Sequence, residues 1–265
     1  MSFINVEHLI FSYKGSDEII LKDINFTAEK GEIITILGPS GCGKSTLLKL
    51  LAGLQSPTKG KVQMNGQDIK SASLDRAFVF QNYGLFPWMK AGENIELALK
   101  QKFPNLSKEE VKERTLHLLN QVGLSEDVAQ KLPKELSGGM QQRCSIARAL
   151  GIDSPVLLMD EPFGALDAIT RAKLQDLLLD LMKEFEQEKT VFFVTHDVDE
   201  AILLGSRTLV LGQKPSSILY DVSVPYLKGE DRATLYEDPA ILELRNQLLH
   251  YINLDISKRI DKEDQ

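Results

Sequence analysis

One glycine-rich segment constrains the fold of this chain more than any other feature. Leucines at helical spacing predict a helix after it, and a β-branched run over residues 33–37 predicts a buried strand before it. Glycines in that context let successive backbone N–H groups turn onto phosphate oxygens at the positive end of the helix. A chance glycine turn does not account for the flanking elements, so the sequence predicts a nucleoside triphosphate site. The segment matches the pattern G-x-x-x-x-G-K-S/T in full and consists of Gly38, Pro39, Ser40, Gly41, Cys42, Gly43, Lys44 and Ser45, followed by Thr46.

The side chains of this loop have separate predicted roles. Lys44 is expected to reach the β- and γ-phosphates, and the Ser45 hydroxyl is expected to ligate Mg²⁺. Thr46 is placed to donate to an oxygen of the α-phosphate. Cys42 is expected to act only as a small residue inside the loop.

A second stretch ends in two carboxylates. Residues 156–159 form an apolar strand-like run, and Asp160 and Glu161 follow it directly. Such a strand can deliver Asp160 to the Mg²⁺ beside Ser45. Glu161, one residue further, suits a general base that polarises the attacking water. Taken without the glycine loop, the pair would equally fit a solvated strand end.

Three isolated side chains are further candidates. His196 ends a predicted strand over residues 190–195, and strand ends on the ligand side of a parallel sheet line the site, so His196 is a candidate contact to the γ-phosphate. Gln81 follows another predicted strand and is a candidate ligand of Mg²⁺ or of the attacking water. The ring of Tyr13 is a candidate to stack on a base. The alternatives are a structural histidine, a surface amide and, favoured for Tyr13 taken alone, plain packing.

A Ser-Gly-Gly turn opens a predicted amphipathic helix at Leu136-Ser137-Gly138-Gly139-Met140-Gln141-Gln142. Ser137 is a good N-cap, and Gly138 and Gly139 leave the first-turn N–H groups uncovered. An ordinary capped helix would show the same pattern. On physical grounds alone the turn is therefore only a candidate anion site.

Strands and helices alternate along the rest of the chain, which predicts an α/β fold around a parallel sheet. Residues 3–13 and 18–29 predict antiparallel strands, and Asn65-Gly66 predicts a hairpin turn. Residues of about 86–150 predict a helical insertion, with Ser107 and Glu110 as a capping box.

The C-terminal part predicts one last helix, with Asp238 and Pro239 at its start. Its apolar face is expected to comprise Ile241, Leu248, Leu249 and Ile252. Residues 257–265 are charged and poor in large apolar side chains, so they are expected to be frayed.

Composition limits the possible partners and compartments. The 265 residues suffice for one large domain, and the net charge of −7 argues against broad attraction to nucleic acid or anionic lipid. The start has no basic segment leading into an apolar run, and no apolar stretch approaches bilayer length, so no secretory signal or membrane span is expected. Any membrane role is therefore expected to act through a partner. The two cysteines, Cys42 and Cys144, form no C-x-x-C pattern and are expected to be free thiols in a reducing compartment.

These motifs, taken in order with Arg143 and Ala165-Leu166-Asp167, resemble the ATP-binding cassette of ABC transporters over about residues 3–225. The resemblance implies a P-loop NTPase core with a mixed sheet, an N-terminal antiparallel β subdomain and an inserted helical subdomain. It implies that Tyr13 stacks on adenine and that Gln81 is the Q-loop residue. It also implies a head-to-tail dimer with a second copy of the chain, in which each ATP lies between one Gly38–Thr46 loop and the other copy's Ser137, Gly138, Gly139 and Gln141. Asp167 would be the D-loop residue crossing between the subunits.

Residues 81–88 and 164–171 further resemble the nitrate, sulfonate and taurine importer subfamily. That resemblance implies membrane permease subunits as partners, a solute-binding protein as an indirect one, and a peripheral location on the cytoplasmic face of the cell membrane. Trp88, the only tryptophan, is expected either to pack in the core of the helical insertion or to anchor a permease helix. The expected domains are 1–225 for the ATPase and 226–265 for a short helical extension.

Three other functions remain open on the sequence, and one of them is an exporter whose membrane spans lie in separate subunits. A soluble ABC-type ATPase acting outside transport is the main alternative, although such proteins resemble two joined cassettes or a cassette split by a coiled coil. An unrelated P-loop kinase or GTPase would leave residues 136–142 unexplained, and no Asn-Lys-x-Asp motif is present.

Overall fold

The structure is a computed structural model that describes residues 2–164, 166–184, 189–225 and 234–263. The strands in chain order are β1 (Ile4–Ser12), β2 (Ile19–Ala28), β3 (Ile33–Leu37), β4 (Lys59–Met64), β5 (Gln67–Asp68), β6 (Arg76–Val79), β7 (Val156–Asp160), β8 (Thr190–Thr195), β9 (Arg207–Leu211) and β10 (Ile218–Ser223). The helices are α1 (Lys44–Leu51), α2 (Ala91–Lys102), α3 (Lys108–Gln121), α4 (Gly138–Gly151), α5 (Ala168–Glu184), α6 (Val198–Leu204), α7 (Thr234–Glu237) and α8 (Pro239–Glu263), with short 3₁₀ turns at Glu126–Gln130 and Pro133–Glu135.

The chain divides into two compact units. The first, here called the N/C unit, combines Met1–Ser73 with Glu186–Gln265, and the second, the central unit, is Leu74–Phe185. Each has its own buried apolar side chains, such as Leu9 and Ile36 in the N/C unit and Ile95 and Ile146 in the central unit.

An antiparallel sheet in the order β2-β1-β4-β5 forms the first layer of the N/C unit. Its register pairs Ile4 with Ala28 on one side and with Met64 on the other. Asn65 and Gly66 join β4 to β5 with φ values of 51° and 73°. Positive φ at both central residues is what a tight hairpin requires, so the hairpin predicted from Asn-Gly is confirmed.

The second sheet of the N/C unit runs in the order β10-β9-β3-β8. Strand β3 is parallel to β8 and to β9, whereas β10 is antiparallel to β9. Every residue of β3 is buried, as expected for a β-branched run at the centre of a sheet. Leu37 lies opposite Thr195 in the register, so the glycine loop and His196 follow neighbouring strand ends.

The central unit combines the parallel pair β6 and β7 with helices α2 to α5. Val79 lies opposite Met159, so Gln81 and Asp160 also follow neighbouring strand ends. The predicted capping box at the start of α3 is present, because Ser107 Oγ accepts from the Glu110 N–H at 3.2 Å and Glu110 Oε2 accepts from the Ser107 N–H at 2.8 Å.

The C-terminal helix differs from the sequence prediction in two ways. Its backbone is helical as far as Glu263, so the prediction of fraying is wrong for residues 257–263, because a helix that is already packed can propagate through polar residues. Residues 264 and 265 lie outside the described part. Leu249 is 38% exposed, and Leu244 is buried instead, since residues 241, 244 and 248 share one helical face. Among the described residues no helix is both long and apolar enough to cross a bilayer.

Candidate nucleotide-binding site

The predicted site residues divide between the two units. The N/C unit holds Tyr13, Gly38, Pro39, Ser40, Gly41, Cys42, Gly43, Lys44, Ser45, Thr46 and His196. The central unit holds Gln81, Ser137, Gly138, Gly139, Gln141, Asp160, Glu161 and Asp167. Ala165, part of the predicted D-loop, lies outside the described residues.

The glycine loop has the local geometry that an anion site requires. Gly43 has a φ of 111°, a backbone conformation that residues other than glycine rarely adopt. It is the N-cap residue of α1. No side chain caps this helix start, and its first turn carries no acidic residue. The N–H groups of the first turn therefore suit an external anion such as a phosphate.

Lys44 is folded into the loop. Its ammonium donates to the carbonyls of Gly38 at 2.9 Å and Pro39 at 3.0 Å, and the residue is only 4% exposed. The loop therefore already holds a buried positive charge at the start of the helix.

Cys42 lies in the same loop and is 2% exposed. Burial raises the pKa of its thiol, which keeps the side chain neutral near pH 7. The Ser216 hydroxyl donates to the Cys42 carbonyl, which fixes the backbone of the loop at that residue. These contacts support the prediction that Cys42 acts as a small filler in the loop.

Tyr13 is joined to the end of the loop. Its hydroxyl lies 2.9 Å from Thr46 Oγ1, and its ring packs edge-on against Phe11 with centroids 5.0 Å apart. The residue is 43% exposed and lines a groove of about 530 Å³, which Lys14 and Leu54 also line. The structure thus shows both packing and an accessible surface, and stacking on a base remains a prediction.

His196 is exposed on the turn between β8 and α6. The turn is fixed around it, because Thr195 Oγ1 donates to the buried carboxylate of Glu200 at 2.6 Å and accepts from the Asp197 N–H at 3.0 Å. Asp197 in turn caps α6 by accepting from the N–H groups of Asp199 and Glu200. The prediction did not include this network, although an aspartate just before an apolar helix is a recognisable N-cap signal.

The carboxyl ends of β6 and β7 bring Gln81, Asp160 and Glu161 together in the central unit. The Gln81 amide donates to Glu161 Oε2 at 3.3 Å, and Asp160 is 5% exposed at the end of β7. Glu161 has a φ of 41°, an unfavourable conformation for a residue with a side chain. Backbone strain of this kind is common where a side chain must be presented for function.

The Ser-Gly-Gly turn is an ordered helix start. Ser137 Oγ accepts from the Met140 N–H at 3.3 Å, as predicted for an N-cap, and the Gln141 amide donates back to the Leu136 carbonyl at 3.1 Å. A Cβ atom at Gly139 would lie 2.6 Å from Thr170 Cγ2, so a larger residue at this position would require Thr170 of α5 to shift.

Asp167 forms the matching cap on α5. Its Oδ1 accepts from the N–H groups of Ile169 at 3.1 Å and Thr170 at 3.0 Å. Hydrogen bonds from Thr170, through its side chain first and its backbone second, hold the pKa of Asp167 below its usual range. The carboxylate therefore stays ionised and keeps Thr170 in place against Gly139.

These motifs are those of one family. The family model described as ABC transporter matches residues 21–164. The chain is a member of the ABC transporter family. The resemblance inferred from the sequence motifs is thereby confirmed, and the cassette is an ATP-binding and ATP-hydrolysing protein.

Relatives of the cassette are named as import or transport ATP-binding proteins. It is 44% identical over 235 residues to the nitrate import ATP-binding protein NrtD of Synechococcus elongatus, covering 88% of this chain and 85% of that one. It is 41% identical over 249 residues to the bicarbonate transport ATP-binding protein CmpD of the same species, covering 94% and 88%. It is 45% identical over 217 residues to the aliphatic sulfonates import ATP-binding protein SsuB of Bacillus licheniformis, covering 81% of each chain.

A solved structure supports the predicted fold. The ATP-binding cassette MJ0796, described in a dimeric post-hydrolysis state with ADP and Pi, superposes with a TM-score of 0.75 at 36% identity, covering 83% of this cassette and 98% of that chain. The predicted α/β class, with a mixed sheet, an antiparallel β subdomain and a helical part, is confirmed.

The structure distinguishes between the two interpretations of Trp88, core packing and an anchor for a permease helix. The residue is 74% exposed, and its ring lies 5.4 Å from that of Phe86, which is 37% exposed. Core packing, one of the two interpretations of Trp88, is therefore wrong. The residue lies in the loop that precedes α2.

Proposed function

We propose that this protein is the ATP-hydrolysing subunit of a bacterial ABC importer that powers solute uptake through separate membrane permease subunits. The observation that carries this proposal is the glycine loop, with an uncapped helix start around the buried Lys44 ammonium, in a member of this family. The relatives NrtD, CmpD and SsuB, all named as import or transport ATP-binding proteins, support the direction of transport. The same names favour a small oxyanion as the solute, such as nitrate, bicarbonate or a sulfonate, and the resemblance in sequence adds taurine, a zwitterionic sulfonate.

The N/C unit supplies the first half of the proposed ATP site. Lys44 and the N–H groups of the glycine loop bind the β- and γ-phosphates, and Thr46 donates to the α-phosphate. Tyr13, held by its hydroxyl contact to Thr46, offers its exposed ring to the adenine. His196 contacts the γ-phosphate from the end of β8, next to the strand that carries the loop.

Mg²⁺ is the metal that fits the proposed donors. Among the described residues no group of three or more His, Cys, Asp or Glu side chains forms a self-sufficient metal site. Mg²⁺ is typically held by one or two carboxylates together with substrate phosphates, so Asp160 with the hydroxyl of Ser45 and the amide of Gln81 is a suitable set. The ion would offset negative charge on the phosphates when bound.

The central unit supplies the groups for hydrolysis. Glu161 acts as the general base that takes a proton from the attacking water, and its strained backbone presents the carboxylate beyond the end of β7. Gln81, which donates to Glu161, orients that water.

A second copy of the cassette completes each site. Ser137, Gly138, Gly139 and Gln141 of one copy face the ATP held by the glycine loop of the other, in a head-to-tail dimer with two equivalent sites. Asp167 lies at the crossing between the copies. The dimer described for MJ0796 supports this arrangement.

The remaining assignments follow from this function. The permease and, indirectly, a solute-binding protein are the partners, nucleic acid is not, and the protein is peripheral on the cytoplasmic face of the membrane. Residues 1–225 form the ATPase domain, with a helical subdomain over about 86–150, and residues 226–265 form an extension. A soluble ATPase acting outside transport has no support among the relatives reported above.

Replacing the proposed base tests the catalytic assignment. Glu161→Gln keeps the shape and the hydrogen bond to Gln81 but removes the proton acceptor, so turnover should fall by about 100-fold or more. ATP binding should stay intact, and the ATP-bound variant should accumulate as a dimer in sedimentation. The measurements are phosphate release and nucleotide affinity, with the exposed Glu109→Gln on α3 as the control.

Wild-type turnover in the Glu161→Gln protein would contradict the base assignment. A monomer in saturating ATP and Mg²⁺ would contradict the shared sites instead.

A further inference from the structure

The Tyr83 side chain lies against the Ser-Gly-Gly turn. A Cβ atom at Gly138 would lie 2.8 Å from the Tyr83 hydroxyl oxygen, closer than real Cβ atoms approach. The same atom would lie 3.8 Å from Tyr83 Cζ and 3.8 Å from Leu166 Cδ2, which are ordinary contact distances. The phenol oxygen alone therefore occupies the space that a side chain at position 138 would need.

The backbone of Tyr83 is held at the other end of the same helix. Arg148, in the last turn of α4, donates from NH1 to the Gly84 carbonyl at 2.5 Å and from NH2 to the Tyr83 carbonyl at 3.3 Å. Hydrogen bonds from a charged, planar guanidinium to two acceptors are strong and directional. They fix a bend in which Tyr83 and Gly84 have φ values of 65° and 61°.

The clamped bend begins two residues after Gln81. Helix α4 therefore contacts Tyr83 near both of its own ends, at Gly138 and at Arg148. Gln81, whose amide donates to Glu161, is separated from that bend by Asn82 only, and the Tyr83 N–H donates to the Phe80 carbonyl at 3.0 Å, which closes a turn around Gln81.

We propose that Tyr83 is a positioning residue that links the Ser137–Gly139 turn to Gln81, so that nucleotide at the turn sets the placement of the Gln81 amide against Glu161. The proposal rests on the function proposed above for these residues. Arg148 supports the link as its anchor. Neither residue needs to touch the nucleotide bound by its own subunit.

Tyr83→Phe removes the hydroxyl and keeps the ring. We expect kcat for ATP hydrolysis to fall by about threefold to tenfold while KM for ATP stays within about twofold, because the glycine loop is untouched. Arg148→Lys loses the paired hydrogen bonds to the Tyr83 and Gly84 carbonyls, so it should lower kcat to a similar extent and leave KM for ATP unchanged. A purely structural role would instead lower the unfolding midpoint and leave kcat per folded protein unchanged.

A double variant tests the contact itself. Gly138→Ala should lower kcat strongly, since its methyl group overlaps the Tyr83 hydroxyl. Adding Tyr83→Phe to Gly138→Ala should then raise kcat by about threefold or more. The same substitution is therefore expected to lower kcat in the wild-type background and to raise it in the Gly138→Ala background. Gly139→Ala is the matched control, because its methyl group would meet Thr170 and Tyr83→Phe should not restore it.

Two results would overturn the proposal: wild-type kcat in Tyr83→Phe, or no gain from Tyr83→Phe in the Gly138→Ala background. If Gly138→Ala does not fold, the kcat and KM of Tyr83→Phe and Arg148→Lys decide the question. Wild-type and Glu161→Gln proteins are assayed in parallel. An inactive wild type or a fully active Glu161→Gln protein would contradict the proposed function, whereas the results for Tyr83→Phe bear only on the positioning role.

Discussion

At the scale of single residues, burial decides the chemistry of the two thiols. Cys144 is 0% exposed within α4, and burial raises its pKa to about 12. Burial also raises the pKa of Cys42, although the Lys44 charge opposes the effect. A raised pKa reduces the thiolate fraction at any given pH, and the thiolate is the reactive form.

We expect neither thiol to react quickly with a disulfide reagent at pH 8 in the native protein. Both should react after denaturation, and the slow native rate should still increase with pH above 9, where an ordinary thiol has levelled off. Timed reaction with Ellman's reagent between pH 7 and 10 measures this. Rapid reaction of Cys42 in the folded protein, assigned with a Cys144→Ser variant, would contradict this expectation and show that the glycine loop opens.

The residues that sequence could predict are those whose role is local. The glycine loop, the Ser107 and Glu110 capping box and the Asn65-Gly66 hairpin each depend on neighbours within a few positions, so pattern alone predicts them. The contact of Arg148 with the Tyr83 carbonyl spans 65 positions and depends on how α4 packs. The left-handed backbone of Tyr83 and Glu161 likewise results from tertiary contacts and has no signal in residue type.

At the scale of elements, α8 contacts neighbouring elements of the N/C unit between residues 245 and 255. Arg245 Nε pairs with Asp199 Oδ1 on α6 at 2.8 Å, and the ring of Tyr251 stacks on Tyr220 of β10 at 4.2 Å. One turn further along the helix, Asp255 Oδ2 accepts from the Gln213 N–H at 2.6 Å. Since α6 begins just after His196, α8 braces the segment that carries a proposed phosphate contact.

Adjacent leucines on α8 allow a matched test of this packing. Leu248 is 0% exposed, so Leu248→Ala should lower the free energy of unfolding by about 2–5 kcal/mol. Leu249 is 38% exposed, so Leu249→Ala should change it by less than about 0.5 kcal/mol. Urea unfolding measures both variants, and equal losses would mean that the helix is rotated relative to the structure described here.

At the scale of the whole molecule, the exposed pair Phe86 and Trp88 is the surface feature that a permease would cover. Aromatic residues are common among the few side chains that carry most of the energy of an interface. Phe86 and Trp88 lie five and seven residues after Gln81 in the chain, so a partner bound there would lie close in sequence to a proposed catalytic residue.

Trp88→Ala should weaken capture of the permease by about 10-fold or more and leave ATP affinity within about twofold, because the indole is remote in sequence from the glycine loop. Pull-down with the permease and a nucleotide titration measure the two effects. Leu254→Ala, at an exposed leucine of α8 that lies outside the groove lined by Tyr13, is the control. Undiminished capture by Trp88→Ala would place the permease elsewhere.

An uncovered tryptophan also bears on how the subunit is made. A side chain of this size gains roughly 25 cal/mol for every Å² of apolar surface that leaves water, and it gains this with any apolar surface it meets. A cassette synthesised in excess of its permease would therefore expose an apolar surface that promotes non-specific association. Production of the two subunits in matched amounts would limit that association.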